Sequence, residues 1–383
     1  MLFRSFRDRK LFNQEFRAVS DSANFLKDSF LEWVIGANYL ELKETNLKKD
    51  DGLYGDPSDP YGPYASASSS SSRYKSSNFS VFGNLDYLLS ASLKFSIGLR
   101  WEDWEADYSD SLNELFNPAD KMSGGKISLI KSMTNGTNMY ASLAKGYKQG
   151  GFNLGLGLDA NSTNQNLAYD PEFLTNYELG INTKLLDSKI NFNGVIFYSY
   201  REDQQVLIST QTDPSDPNTF SFLTQNAAEG VNHGLEINMD IDIRESLSAF
   251  LNLGMLKTEI KNWQSRQDLE GRAQAHAPKK SYALGLNWAP TSHTYLAIDF
   301  TGKSSFYYSD SHNSKSKSYV LTNLNLGYVK NNWNYELWAR NIFDEYYSVR
   351  GFYFGNEAPN FIDTLYKRHG DPRHIGLSIR YDF

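Results

Sequence analysis

Six histidines are the first candidates for metal or acid–base chemistry: His233, His276, His293, His312, His369 and His374. None stands four residues from another, and no HExxH stretch sets a glutamate between two of them. His276 and His312 fall in polar stretches and His374 on the polar side of an alternating segment. Solvated or hydrogen-bonded imidazoles are therefore expected, not metal ligands. The run DWEADYSD concentrates Asp103, Glu105, Asp107 and Asp110, a carboxylate density that could serve acid–base catalysis. The shared parity of Asp103, Glu105 and Asp107 at the top of an extended segment predicts a wet lumen wall or rim instead. The glycines of KGYKQGGFNLGLGLD (145–159) could cradle phosphate, but they have no strand–loop–helix context, which predicts an external loop. With no cysteine, no GxSxG elbow and no Walker-type lysine, the sequence offers no metal site, no cofactor and no reaction. Better candidates for binding are aromatics in long polar stretches: Tyr54, Tyr61, Tyr64, Phe352, Tyr353 and Phe354. Such rings offer a large apolar face, and the tyrosines add a polar tip.

The elements that would carry these residues alternate from end to end. SLKFSIGLRW sets Leu93, Phe95, Ile97, Leu99 and Trp101 against Lys94, Ser96, Gly98 and Arg100. GLEINMDIDIR sets Leu235, Ile237, Met239, Ile241 and Ile243 against Glu236, Asn238, Asp240, Asp242 and Arg244. KINFNGVIFYSYRE places Ile190, Phe192, Ile196, Tyr198 and Tyr200 on one parity. A strand sends successive side chains to opposite faces, so each reads as a strand with one apolar and one polar face. About fifteen such segments occur, many near the ~10 residues that a tilted strand needs to cross a bilayer.

Connections alternate between short and long. The short ones fall at Ser90-Ala91, TNGTN (134–138), Asp187-Ser188, Arg244-Glu245, Thr291-Ser292 and Asn331-Asn332. The long polar ones cover roughly 44–75, 108–121, 150–172, 211–219, 262–277, 306–316 and 347–371. Short turns at one end and long loops at the other are the rhythm of an outer-membrane barrel. Within the first long stretch, ASASSSSSRYKSS reads as a flexible loop tip. The pairs Trp101/Trp104, Tyr198/Tyr200 and Tyr346/Tyr347 read as girdle residues near strand ends.

Composition agrees. Aromatics make up 15% of the chain, with 25 Tyr and 24 Phe, an excess suited to a surface meeting both oil and water. The net charge of -7 gives no basic footprint for nucleic acid. No window approaches the roughly 18 apolar residues of a membrane helix, and MLFRSFRDRKLF is too charged for a signal peptide. The fold class expected is all-β: an antiparallel transmembrane β-barrel of the outer-membrane type, apolar parity toward lipid and polar parity toward a wet or plugged lumen. The chain ends in RHIGLSIRYDF, whose Ile375, Leu377, Ile379, Tyr381 and Phe383 share the apolar parity.

Five stretches, in order, resemble TonB-dependent outer-membrane receptors: QEFRAVSD with LEWVIGANYL (14–40), YASLAKGYKQGGFN (140–153) with DPEFLTNYELGINTKLLD (170–187), NAAEGVNHGLEINM (226–239), APKKSYALGLNW (277–288), and NIFDEYY (341–347) through RGFYFGNEAP (350–359) to GDPRHIGLSIRYDF (370–383). The resemblance implies a barrel of roughly 22 strands, of which residues 1–383 hold about the last fifteen. Upstream strands, plug domain, TonB box and signal peptide have no counterpart in the chain. It implies energy-coupled uptake of a scarce bulky solute, most plausibly a ferric siderophore or other iron complex, across the outer membrane of a Gram-negative bacterium. Implied partners are outer-membrane lipid, a TonB-type energy-transducing complex acting through the upstream part, and the barrel-assembly machinery. Ile379, Tyr381 and Phe383 resemble the terminal signal that this machinery reads. A passive porin and a soluble β-rich binding module are the alternatives, the latter requiring its apolar parity to be buried.

Overall fold

The computed structural model describes residues 2–20, 31–54, 64–111, 115–153, 168–211, 220–263, 266–310, 312–355, 357, 362 and 364–383. In chain order the strands are β1 (Leu2–Val19), β2 (Leu31–Tyr54), β3 (Tyr64–Ser90), β4 (Leu93–Asp110), β5 (Leu115–Phe116), β6 (Ala119–Ser132), β7 (Asn138–Lys148), β8 (Gly151–Phe152), β9 (Ala168–Tyr169) and β10 (Glu172–Leu185). They continue as β11 (Ile190–Gln211), β12 (Phe220–Arg244), β13 (Leu247–Lys261), β14 (Lys280–Thr291), β15 (Thr294–Lys303), β16 (Tyr319–Lys330), β17 (Trp333–Arg340), β18 (Ser348–Phe354), β19 (Thr364–His369) and β20 (His374–Tyr381).

One 16-stranded sheet runs β1-β2-β3-β4-β6-β7-β10-β11-β12-β13-β14-β15-β16-β17-β20 with β5 off the path, which leaves fifteen strands on it. That is the number read from alternation. Two small hairpins, β8-β9 and β18-β19, stand apart from the sheet. The chain divides into two compact units. One holds Met1–Tyr87, Ser96–Ile127 and Lys145–Glu172; the other holds Leu88–Phe95, Ser128–Ala144 and Phe173–Phe383.

The short turns fall within a residue of their expected places. In TNGTN, Gly136 adopts a φ of 80° and its N–H donates to the Met133 carbonyl at 3.1 Å. A side chain there would be strained, so glycine fits the turn. Leu186, Asp187 and Ser188 turn through three successive left-handed conformations (φ 52°, 54° and 67°).

The long connections differ from expectation because the strands run farther. β3 has 27 residues and β12 has 25, against the 9–11 that cross a bilayer. The serine run is not a loop tip: Ser68 to Ser72 lie in β3, in register with Asp50, Lys49, Lys48, Leu47 and Asn46 of β2. A β-ladder is made by backbone N–H and C=O groups, so a stretch with low side-chain propensity still pairs when its partner strand continues.

On the polar face, aromatic rings lie across glycines of the neighbouring strand. Tyr295 is in register with Gly327 and its ring occupies the space a Cβ there would fill. Its hydroxyl donates to Glu336 at 3.2 Å, and Glu336 is paired with Gly327 on the far side. Trp338 covers Gly376 in the same way and donates its indole N–H to Ser378 at 3.1 Å. These covered glycines pin the register of strands whose polar faces would otherwise slip.

The C-terminal strand stops at Tyr381, so Phe383 is not a strand residue as the alternation suggested. Asp382 still donates its N–H to the Asn332 carbonyl at 3.0 Å. Phe383 is fully exposed and packs edge-on against Tyr381 with ring centroids 5.0 Å apart. Tyr381 also meets Trp333 at 4.8 Å, completing an aromatic row at the short-turn end.

Candidate ligand-binding rim

Both units exchange inside for outside partway up their strands, and the exchange builds the rim. On β4 the apolar series Leu93, Phe95, Ile97, Leu99, Trp101, exposed at Leu99 and Trp101, gives way to Asp103, Glu105 and Asp107. The opposite parity runs Lys94, Ser96, Gly98, Arg100, Glu102 and then turns into Trp104, Ala106 and Tyr108, exposed by only 2%, 3% and 7%. Outside polar and inside apolar is the arrangement of a chain in water; the reverse, below Trp101, is that of a chain in oil. Trp101 meets Phe79 edge-on at 6.4 Å, and Phe12 meets Tyr39 at 6.3 Å, so an aromatic row marks the crossing.

Above that row the first unit has a core. Trp104 packs with Ala106 and Met122 against Tyr74 and Tyr147, and its indole N–H donates to Ser76 Oγ at 2.8 Å. Phe152 stacks on Phe116 at 5.3 Å and meets Tyr108 and Tyr74. Below it lies the Glu102 carboxylate, 7% exposed. Asn78 donates to it at 2.6 Å, Arg100 at 2.8 Å and Tyr147 at 2.9 Å. A buried carboxylate needs such donors to be tolerated. Beside them an open, shallow depression of about 520 Å³ is lined by Gly98, Arg100, Glu102, Gly124, Gly125 and Tyr147, among others.

The second unit repeats the exchange on β13. Leu247, Ala249, Leu251, Leu253 and Met255 are followed on the same face by Lys257, Glu259 and Lys261. The other face ends in buried Thr258 and Ile260, and Ile260 packs with Val206, Ala228, Trp263 and Leu269. Trp263 and Leu269 are thus both anchored in a core.

Arg272 ties the next loop to it. Its guanidinium donates to the His312 carbonyl and Asn313 Oδ1, both at 2.9 Å, and to the Ser309 carbonyl at 3.1 Å and Asp310 Oδ1 at 3.0 Å. Asp310 also accepts the Ala275 N–H at 3.0 Å. Arg272 lies over the Tyr307 ring at 4.4 Å and Lys315 over the same ring at 4.1 Å. Arg272 is 7% exposed, so these are charge-assisted bonds in a place water barely reaches. Burial pushes the His312 imidazole below its ordinary 6.5, and the Arg272 charge acts in the same direction.

The β18-β19 hairpin is fastened to this loop. Tyr353 OH lies 3.0 Å from Ser314 Oγ and its ring meets His312 edge-on at 5.0 Å. Tyr308 hydrogen-bonds to Ser348, and Tyr347 packs on Tyr319 at 4.6 Å.

The expected binding residues therefore divide. Phe352 is half-exposed against Tyr366, Tyr353 is held by the Arg272 loop, and Phe354 ends β18. All three sit on a strand of a hairpin, where a loop was expected. Tyr54 and Tyr64 are likewise strand residues, the terminal pair of the β2-β3 ladder; Tyr61 lies outside the described residues. Trp104 is a core residue, not a girdle residue. Asp103 lies on the outer face, 3.8 Å from Lys121, so DWEADYSD forms rim and not lumen wall. Arg272 carried no signal in the sequence: GRAQAHAP gives no periodicity, and its partners lie 37 to 41 residues away.

A family profile described as TonB dependent receptor-like, beta-barrel matches residues 3–342. The pesticin receptor of Yersinia pestis is 22% identical over 267 residues, covering 68% of this chain and 36% of the relative. A probable TonB-dependent siderophore receptor of Acinetobacter baumannii is 25% identical over 286 residues, with the same two coverages. The chain thus spans about a third of the length of these relatives. The crystal structure of the ferric yersiniabactin uptake receptor of Yersinia pestis superposes with a TM-score of 0.74 at 19% identity, covering 100% of this chain and 55% of that one. The fold class is accordingly the antiparallel transmembrane β-barrel of the outer-membrane type.

Proposed function

Because the chain belongs to the TonB-dependent receptor β-barrel family, we propose that it forms the wall and rim of an outer-membrane receptor for energy-coupled uptake of a ferric siderophore or similar iron complex. The observation that supports this reading best is the braced rim. Arg272 locks the 306–316 loop, which holds the hairpin bearing Phe352 and Tyr353. Exposed rings beside Lys315 and Arg350 suit a bulky ligand combining aromatic groups with negative charge. Coupling to a TonB-type complex would engage an upstream segment, and residues 1–383 would supply wall and loops. No reaction is assigned, since the family consists of receptors and transporters.

The test is uptake of radiolabelled iron by Gram-negative cells lacking their own siderophore receptors. They would express the native gene including any upstream segment, and a panel of ferric siderophores would include ferric yersiniabactin. Uptake of one panel member, abolished by a protonophore and reduced at least ten-fold by Phe352→Ala with Tyr353→Ala, is expected. Uptake that persists in protonophore-treated cells would establish a passive pore and overturn the proposal.

A further inference from the structure

Three lysines stand in one row across three adjacent strands. Lys10 is in direct register with Lys43, and Lys43 with Lys75. In antiparallel pairs directly opposed residues share a face, and like charges so placed are destabilising. Here the arrangement occurs twice in succession. The row lies on the outer face: Phe12, Glu41 and Ser77 form the row beneath it, then Gln14, Tyr39 and Phe79, then Phe16, Ala37 and Val81. Phe12, Phe16, Tyr39, Phe79 and Val81 are all exposed. The lysines thus stand one row above Phe12 and two above the Tyr39–Phe79 pair, about 5–10 Å above the apolar belt for a tilted strand.

The row is under-compensated. Glu41 binds Lys43 at 2.5 Å and Lys75 at 3.6 Å, one carboxylate shared by two amines. Among the described residues no carboxylate pairs with Lys10. Arg73 lies in the row above, beside Thr45 and Asp8. On β4 the same face turns acidic with Asp103 and Glu105, so the basic patch is confined to β1, β2 and β3. Lys43 and Lys75 remain about half exposed, at 55% and 47% of their side chains.

We propose that Lys10, Lys43 and Lys75 bind the phosphate headgroup of an anionic lipid in the leaflet at the long-loop end, supplying the charge that Glu41 alone cannot. The site rests on the membrane-spanning reading of the chain. Its height places amines at headgroup level, and the lysine stems can lean along the apolar belt while their heads reach phosphate.

The test uses the full 383-residue chain refolded in maltoside micelles, with diphosphoryl lipid A as probe and native mass spectrometry as readout. The wild type should retain lipid A, and K10Q/K43Q/K75Q should lose at least ten-fold in affinity. The control K184Q/K189Q should not change. Glu41→Gln should tighten binding about three-fold by releasing Lys43 and Lys75, a gain that a merely structural role would not produce. Fifty millimolar inorganic phosphate should leave the lipid bound. Undiminished binding by the triple variant, or displacement of the lipid by inorganic phosphate, would overturn the proposal. Equal quenching of Trp101 by water-soluble and lipid-soluble quenchers would instead overturn the membrane-spanning reading beneath it.

Discussion

Charge placed on β4 should cost in proportion to depth and face, and the structure sets the scale. A tilted strand climbs about 2.5 Å per residue from a ~3.3 Å rise and a ~40° tilt. With Trp101 at the upper interface of an apolar band ~25 Å tall, the midplane falls about five residues below, between Phe95 and Ile97. Ile97→Arg should therefore cost ~2–4 kcal/mol, an equilibrium shift of roughly 30- to 700-fold. Leu99→Arg, nearer the interface, should cost about 1–2 kcal/mol. Ser96→Arg, one residue away but on the polar face, and Glu105→Arg, above the aromatic row, should each cost less than ~1 kcal/mol. Urea titration of each variant refolded into phosphatidylcholine vesicles, followed by tryptophan fluorescence, measures all four. Equal costs for Ile97→Arg and Ser96→Arg would refute the face assignment. A Glu105→Arg cost matching Ile97→Arg would refute the exchange of faces at Trp101.

Trp104→Ala should destabilise the upper part of the first unit by about 3–5 kcal/mol, because it empties a core site and orphans Ser76; amide exchange in 102–108 should rise while 93–99 stays protected. His312 has its folded pKa below 6.5, so the loop gains nothing from this group above that value and loses stability as pH falls below it, when the open loop binds the proton first. Protection of the described 306–316 amides, taken relative to their intrinsic exchange rates, should fall from pH 7.5 to 5.5, and His312→Gln should flatten that response. Deleting Phe383 from the native receptor should lower the amount of folded barrel in the outer membrane; normal barrel levels with reduced ligand uptake would contradict an assembly role.

Period-2 alternation was enough to read the sheet. Strand number, turn positions and face assignment were all legible, because lipid on one side and water on the other impose opposite demands on alternate residues. The reading failed where those demands change. Above Trp101 both faces meet water or protein, so polarity ceases to mark strand from loop, and Lys48 and Ser70 read as loop residues. Trp104 looked like a girdle residue because a tryptophan near a strand end is the same letter on either face; only its parity, shared with Arg100 and Glu102, could have moved it inward. Phe352 and Tyr353 stand out in the sequence only as aromatics in a long polar stretch. The Arg272 brace that fixes their hairpin joins loops far apart in sequence and leaves no periodic trace. The lysine row was invisible for a related reason: Lys10, Lys43 and Lys75 become neighbours only once strand register is known.

The serine tract in β3 has a corollary. Between Ser68 and Ser72 both faces carry the same small side chain, so sliding this stretch along β2 substitutes like for like. Elsewhere in the sheet a one-residue slip would turn an apolar side chain toward water. Serines added to or removed from the tract would therefore change the length of the β2-β3 ladder while leaving side-chain type on both of its faces unaltered. Ladder length is thus decoupled from face polarity in this stretch, whereas in the alternating strands the two are bound together.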